Sequence, residues 1–350
     1  MTREGGPQSI KHESFKSDEI YYFNTHRPLD LVKNLENRYT DFPLEKVKDI
    51  FQQTLGLEIK NIKPDTNFGT GHVIFFAETE KGRYVFRANY GVASPEHYMS
   101  LEGKFNLEYQ KADIPVGVIL HSDSTRSKYN FDYQILEPLP GKDLETEWAG
   151  TEKDYENLCI ELGRLVARQY KAPVSGFGRF MNLDVLQGSY KTTHEYLTAY
   201  LDFDLATLLE YKIIDEGVRS KIQAVFMDNK PIFDKDTQGY LVHHDLADHN
   251  LRYEGDKIMA VFDWENAVAF DPISELGSAH TWLSHYDFKR KKMLEGFTAE
   301  LGHEPENLHK KISIYFLRTM LWKVCFALRR GKFTERHKNL LEQSLKENGL

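Results

Sequence analysis

Three oxygen-bearing side chains, Asp245, Asn250 and Asp263, fall within one short stretch, residues 241–265, LVHHDLADHNLRYEGDKIMAVFDWE. Leu241-Val242 is a brief apolar entry to a loop crowded with ionisable groups. Leu251-Arg252-Tyr253 reads as a strand and Glu254-Gly255-Asp256 as a turn, because glycine supplies positive φ and aspartate tolerates turn geometry. Ile258 to Phe262 is a second, mostly apolar strand that delivers Asp263 at its end. The pattern predicts a loop followed by a hairpin, with Asp245 and Asn250 on the loop and Asp263 past the far strand. One carboxylate beside an attacking hydroxyl, with a second carboxylate and an amide to hold Mg²⁺ against phosphate oxygens, is the set that metal-assisted phosphoryl transfer requires. The same residues also fit a solvated turn or a transition-metal site.

The HxDxxxxN spacing resembles the catalytic loop of protein kinases, and Asp263 stands where those enzymes place the Asp of DFG. The resemblance is closer to the aminoglycoside phosphotransferase and choline kinase-like families, which carry an H-G-D-type loop, the same step from Asp to Asn, and an I-D-W-type strand ending. Here these read His243-His244-Asp245, Asn250 and Phe262-Asp263-Trp264. The resemblance implies an α+β, two-lobed protein kinase-like fold, with a small mixed β-sheet N-lobe and a larger, mainly helical C-lobe. It implies ATP or GTP with Mg²⁺ in the cleft, Asp245 as catalytic base, and Asn250 and Asp263 as metal ligands. His244 departs from the pattern, since a small residue is usual there, and it is expected to narrow the acceptor pocket or touch the substrate, with Glu265 nearby in sequence. Helical metal phosphohydrolases also pair His with Asp, but the strand-turn-strand pattern argues against that fold.

The elements that must position this set begin after a polar extension, residues 1–40, whose Tyr21-Tyr22-Phe23 cluster is expected to pack on the body. An N-terminal lobe is expected over 41–137 and a C-terminal lobe over 138–350. Asp41 to Leu55 reads as a helix, with Pro43 in its first turn and Gly56 as its stop. Gly69 and Gly71 lie between two strands, where a glycine turn either folds over nucleotide phosphates or makes a plain hairpin. Arg87 occupies the strand position of the phosphate-contacting lysine of the resembled families, and its fork suits phosphate. On the helix Ser100 to Lys111, Leu101, Phe105 and Leu107 are available for packing, and Glu102 best matches the glutamate that holds that cation, with Glu108 as second choice. Leu136, Glu137 and Leu139, in ILEPLPG, resemble the segment linking the lobes, where backbone groups meet adenine.

Residues 151–170 form a helix with an apolar stripe, and ELGRLVARQY resembles a core helix of the same families, with Tyr170 in place of a His. Ser175 to Phe180 resembles a turn of hygromycin phosphotransferase-like sequences and is expected to shape a loop. Residues 190–228 read as two helices, whose Tyr196, Tyr200, Asp202, Asp204 and Glu210 offer aromatic and acidic groups to an acceptor or else pack as a plain amphipathic face. Trp282, His285 and Trp322 are further candidates for the acceptor pocket. Asp271-Pro272 to Gly277 resembles D-P-x-x-D-L-A, with Glu275 as the acid that braces the catalytic loop.

The chain has 350 residues, two well-separated cysteines, no apolar run of membrane-spanning length and a polar N-terminus without a signal core, so a cytoplasmic protein with reduced thiols is expected. A net charge of −8 disfavours nucleic acid and suits a cationic acceptor. No membrane or protein partner is implied. The favoured acceptor is an aminoglycoside-type compound; a metabolite kinase acting on choline, a sugar or homoserine is the alternative. A nucleotide-binding scaffold without activity stays open because of Arg87.

Overall fold

A computed structural model describes residues 39, 42–65, 72–89, 98–180, 185–264 and 266–350. The expected packing of Tyr21 to Phe23 lies outside them, as do Gly69, Gly71 and Glu265.

Helix α1 (Leu44–Leu55) follows Pro43 and ends at Gly56, whose φ of 66° is the left-handed cap that glycine adopts without strain. Its buried face, Val47, Ile50 and Phe51, has the expected helical spacing and joins a core with Phe75, Phe86, Phe131 and Ile135. Phe75, Phe86 and Ile135 come from a five-stranded sheet, β1 (Ile59–Pro64), β2 (Val73–Thr79), β3 (Gly82–Asn89), β4 (Ile119–Asp123) and β5 (Asp132–Leu136), in the order β1-β2-β3-β5-β4, and Phe131 directly precedes β5. Each described pairing is antiparallel, where a mixed sheet was expected.

Helix α2 (Tyr98–Lys111) crosses between the two halves. Its Leu101, Phe105 and Tyr109 are buried with the larger, C-terminal core, whereas Leu107, expected to pack, is exposed on the opposite face. Phe105 and Tyr109 meet the Trp264 ring at 5.9 and 4.7 Å between centroids. Just after α2, the Val261 N–H donates to Pro115 O at 2.8 Å, which ties this connection to the strand that delivers Asp263.

Among the described residues, eight short strands belong to the helical half: β6 (Lys142–Asp143), β7 (Pro173–Val174), β8 (Phe177–Phe180), β9 (Gly188–Tyr190), β10 (Gly239–Val242), β11 (Leu251–Glu254), β12 (Lys257–Val261) and β13 (Val268–Phe270). They form a sheet β7-β10-β13-β8-β9 and a ribbon β12-β11-β6. The segment around Phe177, expected to be a loop, is therefore strand β8, with Gly176 and Gly178 at positive φ on either side of Phe177. Helix α3 (Glu152–Arg168) opens with a reciprocal Thr151–Asp154 capping box. The stretch 190–228 holds three helices, α4 (Thr193–Thr198), α5 (Leu201–Glu210) and α6 (Glu216–Asp228), because the chain breaks at Ala199 and at left-handed Tyr200, φ 58°. Then follow α7 (Lys230–Phe233), α8 (Ile273–Ser278), α9 (Lys289–Leu301), α10 (Leu308–Arg329) and α11 (Glu335–Glu347).

The glycine of the ELG motif has a packing reason. A Cβ at Gly163 would stand 1.9 Å from Met293 O, and one at Gly296 would stand 1.8 Å from Ile160 O, so α3 and α9 meet backbone to backbone. Cys159 and Cys325 are buried free thiols, as expected. No described helix is long and apolar enough to cross a membrane.

Candidate active site

Strand β10 leads into the loop that carries Asp245. His244 takes φ 64°, a conformation that costs a residue with a Cβ and that a glycine would take freely. That accounts for the small residue usual at this place in the resembled families. The strained turn is braced: the His244 N–H donates to Glu275 Oε1 at 2.7 Å, as expected of Glu275. Burial pushes the Glu275 carboxyl up to about 8, against the pull of the His244 N–H. The buried His243 ring donates from Nε2 to Phe262 O at 2.9 Å and lies 4.9 Å from the Trp264 ring. Burial lowers its pKa to about 4, which keeps the imidazole neutral with one N–H for that carbonyl.

The sequence reading missed a second support. Asp248 accepts from Lys289 Nζ at 2.6 Å and from the Tyr155 hydroxyl at 2.7 Å, and all three side chains are buried. Lys289 also donates to Leu246 O at 3.0 Å. Asp248 looked like one more loop acid, and no local spacing connects it to a lysine 41 residues away. A third support is Asp271, which accepts from Tyr315, Lys311 and Tyr170 at 2.9, 2.9 and 3.2 Å.

On this frame Asp245, Asn250 and Asp263 come together. Asn250 Nδ2 donates to Asp245 O at 2.9 Å, and the Phe262 N–H donates to Asn250 O at 3.2 Å, so the hairpin end is tied to the loop. Asp263 takes φ 68°, another strained position, and its Oδ1 is buried with no partner among the described residues. Asp245 Oδ2 accepts from Asn266 Nδ2 at 3.0 Å, while its Oδ1 is likewise buried and unpartnered among the described residues. Burial raises the Asp245 carboxyl above the ordinary carboxylate range, and the nearby Asp263 charge adds to this; His249, Lys323 and the Asn266 amide oppose it. Asn266 is a contact the sequence reading did not find.

Arg87 and Glu102 form the expected bidentate pair, Nη1 to Oε2 at 2.9 Å and Nη2 to Oε1 at 3.3 Å, with Glu102 buried. Glu108 is instead paired with Lys111 on the surface. One donor atom each from His72, Glu102 and Asp263 lies within 4.8 Å of the others, so the Arg87–Glu102 pair borders the Asp263 carboxylate. The oxygens of Asp263 and Asn250 are hard donors, and a buried carboxylate oxygen without a partner fits a divalent cation such as Mg²⁺.

Between the halves, Leu136 ends β5 and the Glu137 N–H donates to Val118 O at 3.0 Å. Pro138 has no N–H, so Leu139 is the next residue of this segment with a backbone donor. Its side chain closes over Gly117, where a Cβ would stand 2.7 Å from Leu139 Cδ2. Gly141, φ 81°, turns the chain against Tyr253 O, 2.6 Å from a hypothetical Cβ.

Beside His244 opens a small cavity of about 30 Å³, walled by Tyr196, Tyr200, Phe270, Tyr315 and Trp322. His244, Tyr196, Tyr200 and Trp322, expected near the acceptor, all line this cavity. Asp202 and Trp282 are not among the lining residues. Asp202 is exposed on the first turn of α5 and accepts from Gln223 Nε2 at 3.0 Å, because the break at Tyr200 rotates α5 relative to α4. The Trp282 ring is covered by the Lys323 ammonium. His285 is also engaged elsewhere, at Leu144 O, 2.7 Å.

A model of the phosphotransferase enzyme family matches residues 69–307. No curated protein matches the sequence. Among solved structures, a thermostable variant of aminoglycoside phosphotransferase APH(4)-Ia, in a ternary complex with AMP-PNP and hygromycin B, is 18% identical, with 86% of this chain and 98% of that one covered and a TM-score of 0.61. The macrolide 2'-phosphotransferase MphH from Brachybacterium faecium is 18% identical, with 86% and 98% covered and a TM-score of 0.57. These likenesses show the two-lobed protein kinase-like fold.

Proposed function

Because this chain belongs to the phosphotransferase enzyme family, we propose that it moves the γ-phosphoryl group of ATP or GTP, with Mg²⁺, to a hydroxyl of a small molecule held beside His244. The observation that carries this reading is the convergence of Asp245, Asn250 and Asp263 on a buried site where two carboxylate oxygens have no partner among the described residues.

In this reading Asp245 is the base. Asn266 fixes one of its oxygens, which leaves Oδ1 to accept the acceptor hydroxyl's proton. The raised proton affinity that burial gives this carboxyl favours that transfer. Asn250 and Asp263 would hold the metal, which when bound neutralises phosphate charge. Arg87, oriented by Glu102, presents its guanidinium to the nucleotide phosphates. The Glu137 carbonyl and the Leu139 N–H supply the acceptor and donor that adenine needs. Catalysis then rests on positioning, which the braces at Glu275, Asp248 and Asp271 provide. The N-terminal lobe is assigned to 41–137 and the C-terminal lobe to 138–350. The Arg87–Glu102 pair is intact, which favours an active enzyme over a nucleotide-binding scaffold.

Replacement Asp245→Ala is expected to lower turnover by about 10²–10⁴-fold while leaving the melting temperature within a few degrees. ATP consumption across a panel of hydroxylated small molecules, with a thermal melt of the same preparation, measures both. Full activity in a folded variant would overturn the assignment.

A further inference from the structure

We propose that His72, Glu102 and Asp263 form a binding site for a transition-metal ion of the Zn²⁺ class, and that an ion held there excludes the nucleotide. The site stands on its own geometry; the exclusion rests on the phosphotransfer reading. Three elements converge here. His72 stands immediately before β2, Glu102 is on α2, and Asp263 lies just past β12. Val73 packs into the sheet core, so strand alternation turns His72 to the face that carries Arg87. One donor atom from each of the three lies within 4.8 Å of the others, and His72 Nε2 is 3.8 Å from Glu102 Oε1. Around a tetrahedral ion with bonds of about 2.1 Å, donors stand about 3.4 Å apart, so small side-chain movements close the set. His72 and Glu102 are buried, and Asp263 Oδ1 is buried with no partner among the described residues.

The donor set selects the ion. Mg²⁺ is hard, holds to oxygen and demands near-ideal octahedral geometry. An imidazole nitrogen with two carboxylate oxygens, leaving one position for water, is instead a set that Zn²⁺ takes. Two carboxylates with a neutral imidazole also match the charge of a divalent ion. The Arg87 guanidinium opposes a cation here, but it holds the two Glu102 oxygens unequally, Nη1 to Oε2 at 2.9 Å and Nη2 to Oε1 at 3.3 Å. Oε1, the more weakly held oxygen and the one beside His72, is the donor offered to the ion. Exclusion follows from position. The ion would occupy the space between the Arg87–Glu102 pair and Asp263, where nucleotide phosphates must meet both the guanidinium and Mg²⁺. It would also hold the Asp263 oxygen that Mg²⁺ needs.

The test uses the full chain without nucleotide and titrates it by calorimetry with Zn²⁺ and, separately, with Mg²⁺. The tightest Zn²⁺ is expected at one per chain, bound at least about tenfold tighter than Mg²⁺. His72→Gln, checked for folding by a thermal melt, should weaken that Zn²⁺ by at least about tenfold and leave binding of a non-hydrolysable ATP analogue with Mg²⁺ unchanged. In the wild-type chain preloaded with one equivalent of Zn²⁺, affinity for the analogue should fall by at least about tenfold; the variant, treated alike, corrects for Zn²⁺ drawn off by the analogue. Zn²⁺ binding no tighter than Mg²⁺, equal Zn²⁺ binding by the folded variant, or unchanged analogue binding after preloading would overturn the proposal. A chain that binds Zn²⁺ through His72 but no analogue when Zn²⁺ is absent would keep the site and sink the phosphotransfer reading instead.

Discussion

At the scale of single residues, this site is built by groups held away from their ordinary states. His244 and Asp263 both sit at positive φ, and the His244 turn is braced by Glu275. The brace at Glu275 makes a pH prediction. Its carboxyl titrates near 8 in the fold and near 4.5 when unperturbed, so between those values the folded chain holds a proton that the unfolded chain has lost. Stability is therefore complete below the lower value and falls as pH rises through the window. Glu275→Gln keeps an acceptor for the His244 N–H and removes the titration. Urea unfolding at several pH values between 5 and 8 should show a steeper decline for the wild-type chain than for the variant. At Arg87 the expectation concerns the fork: Arg87→Lys keeps a cation but loses the two-point grip on Glu102, and ATP affinity should fall by about tenfold in a binding titration. The chemistry-bearing trio was legible because its residue types and spacing are local. Asp248, Lys289 and Asn266 were not, since their roles arise only when distant segments close on the loop.

Elements carry the loop by touching closely. Gly163 and Gly296 let α3 and α9 cross at backbone contact, and Gly163→Ala would push a methyl group into Met293 O. The expected cost is about 1–3 kcal/mol, read from chemical denaturation, with nucleotide affinity retained below the transition. The apolar periodicity of α1 and α3 announced those helices, and the turn residues around Gly255 announced the β11–β12 hairpin. Pattern reading failed where the backbone breaks without a glycine or proline. Tyr200 adopts a left-handed conformation that its side chain does not advertise, and the helix expected to run through it is two helices. That break carries Asp202 out to solvent while Tyr196 and Tyr200 stay on the cavity wall. Strand β8 was misread for a related reason: Gly176 and Gly178 bend the chain on either side of Phe177 but do not end the strand pairing.

For the whole molecule, two cores meet at one seam. The sheet core around Phe86 and the larger core around Trp264 are joined by α2, which offers Glu102 to Arg87 and Tyr109 to Trp264. Bulk composition was silent about this seam. The claim on which the account turns is that Asp263 offers its oxygen to a divalent ion shared with a nucleotide in that seam. Calorimetric titration of ATP into the wild-type chain and into Asp263→Ala, with Mg²⁺ and then with excess chelator, measures it directly. Mg²⁺ is expected to tighten ATP binding by about tenfold or more in the wild-type chain and to have little effect in the variant. Equal Mg²⁺ dependence in the two folded proteins would contradict it.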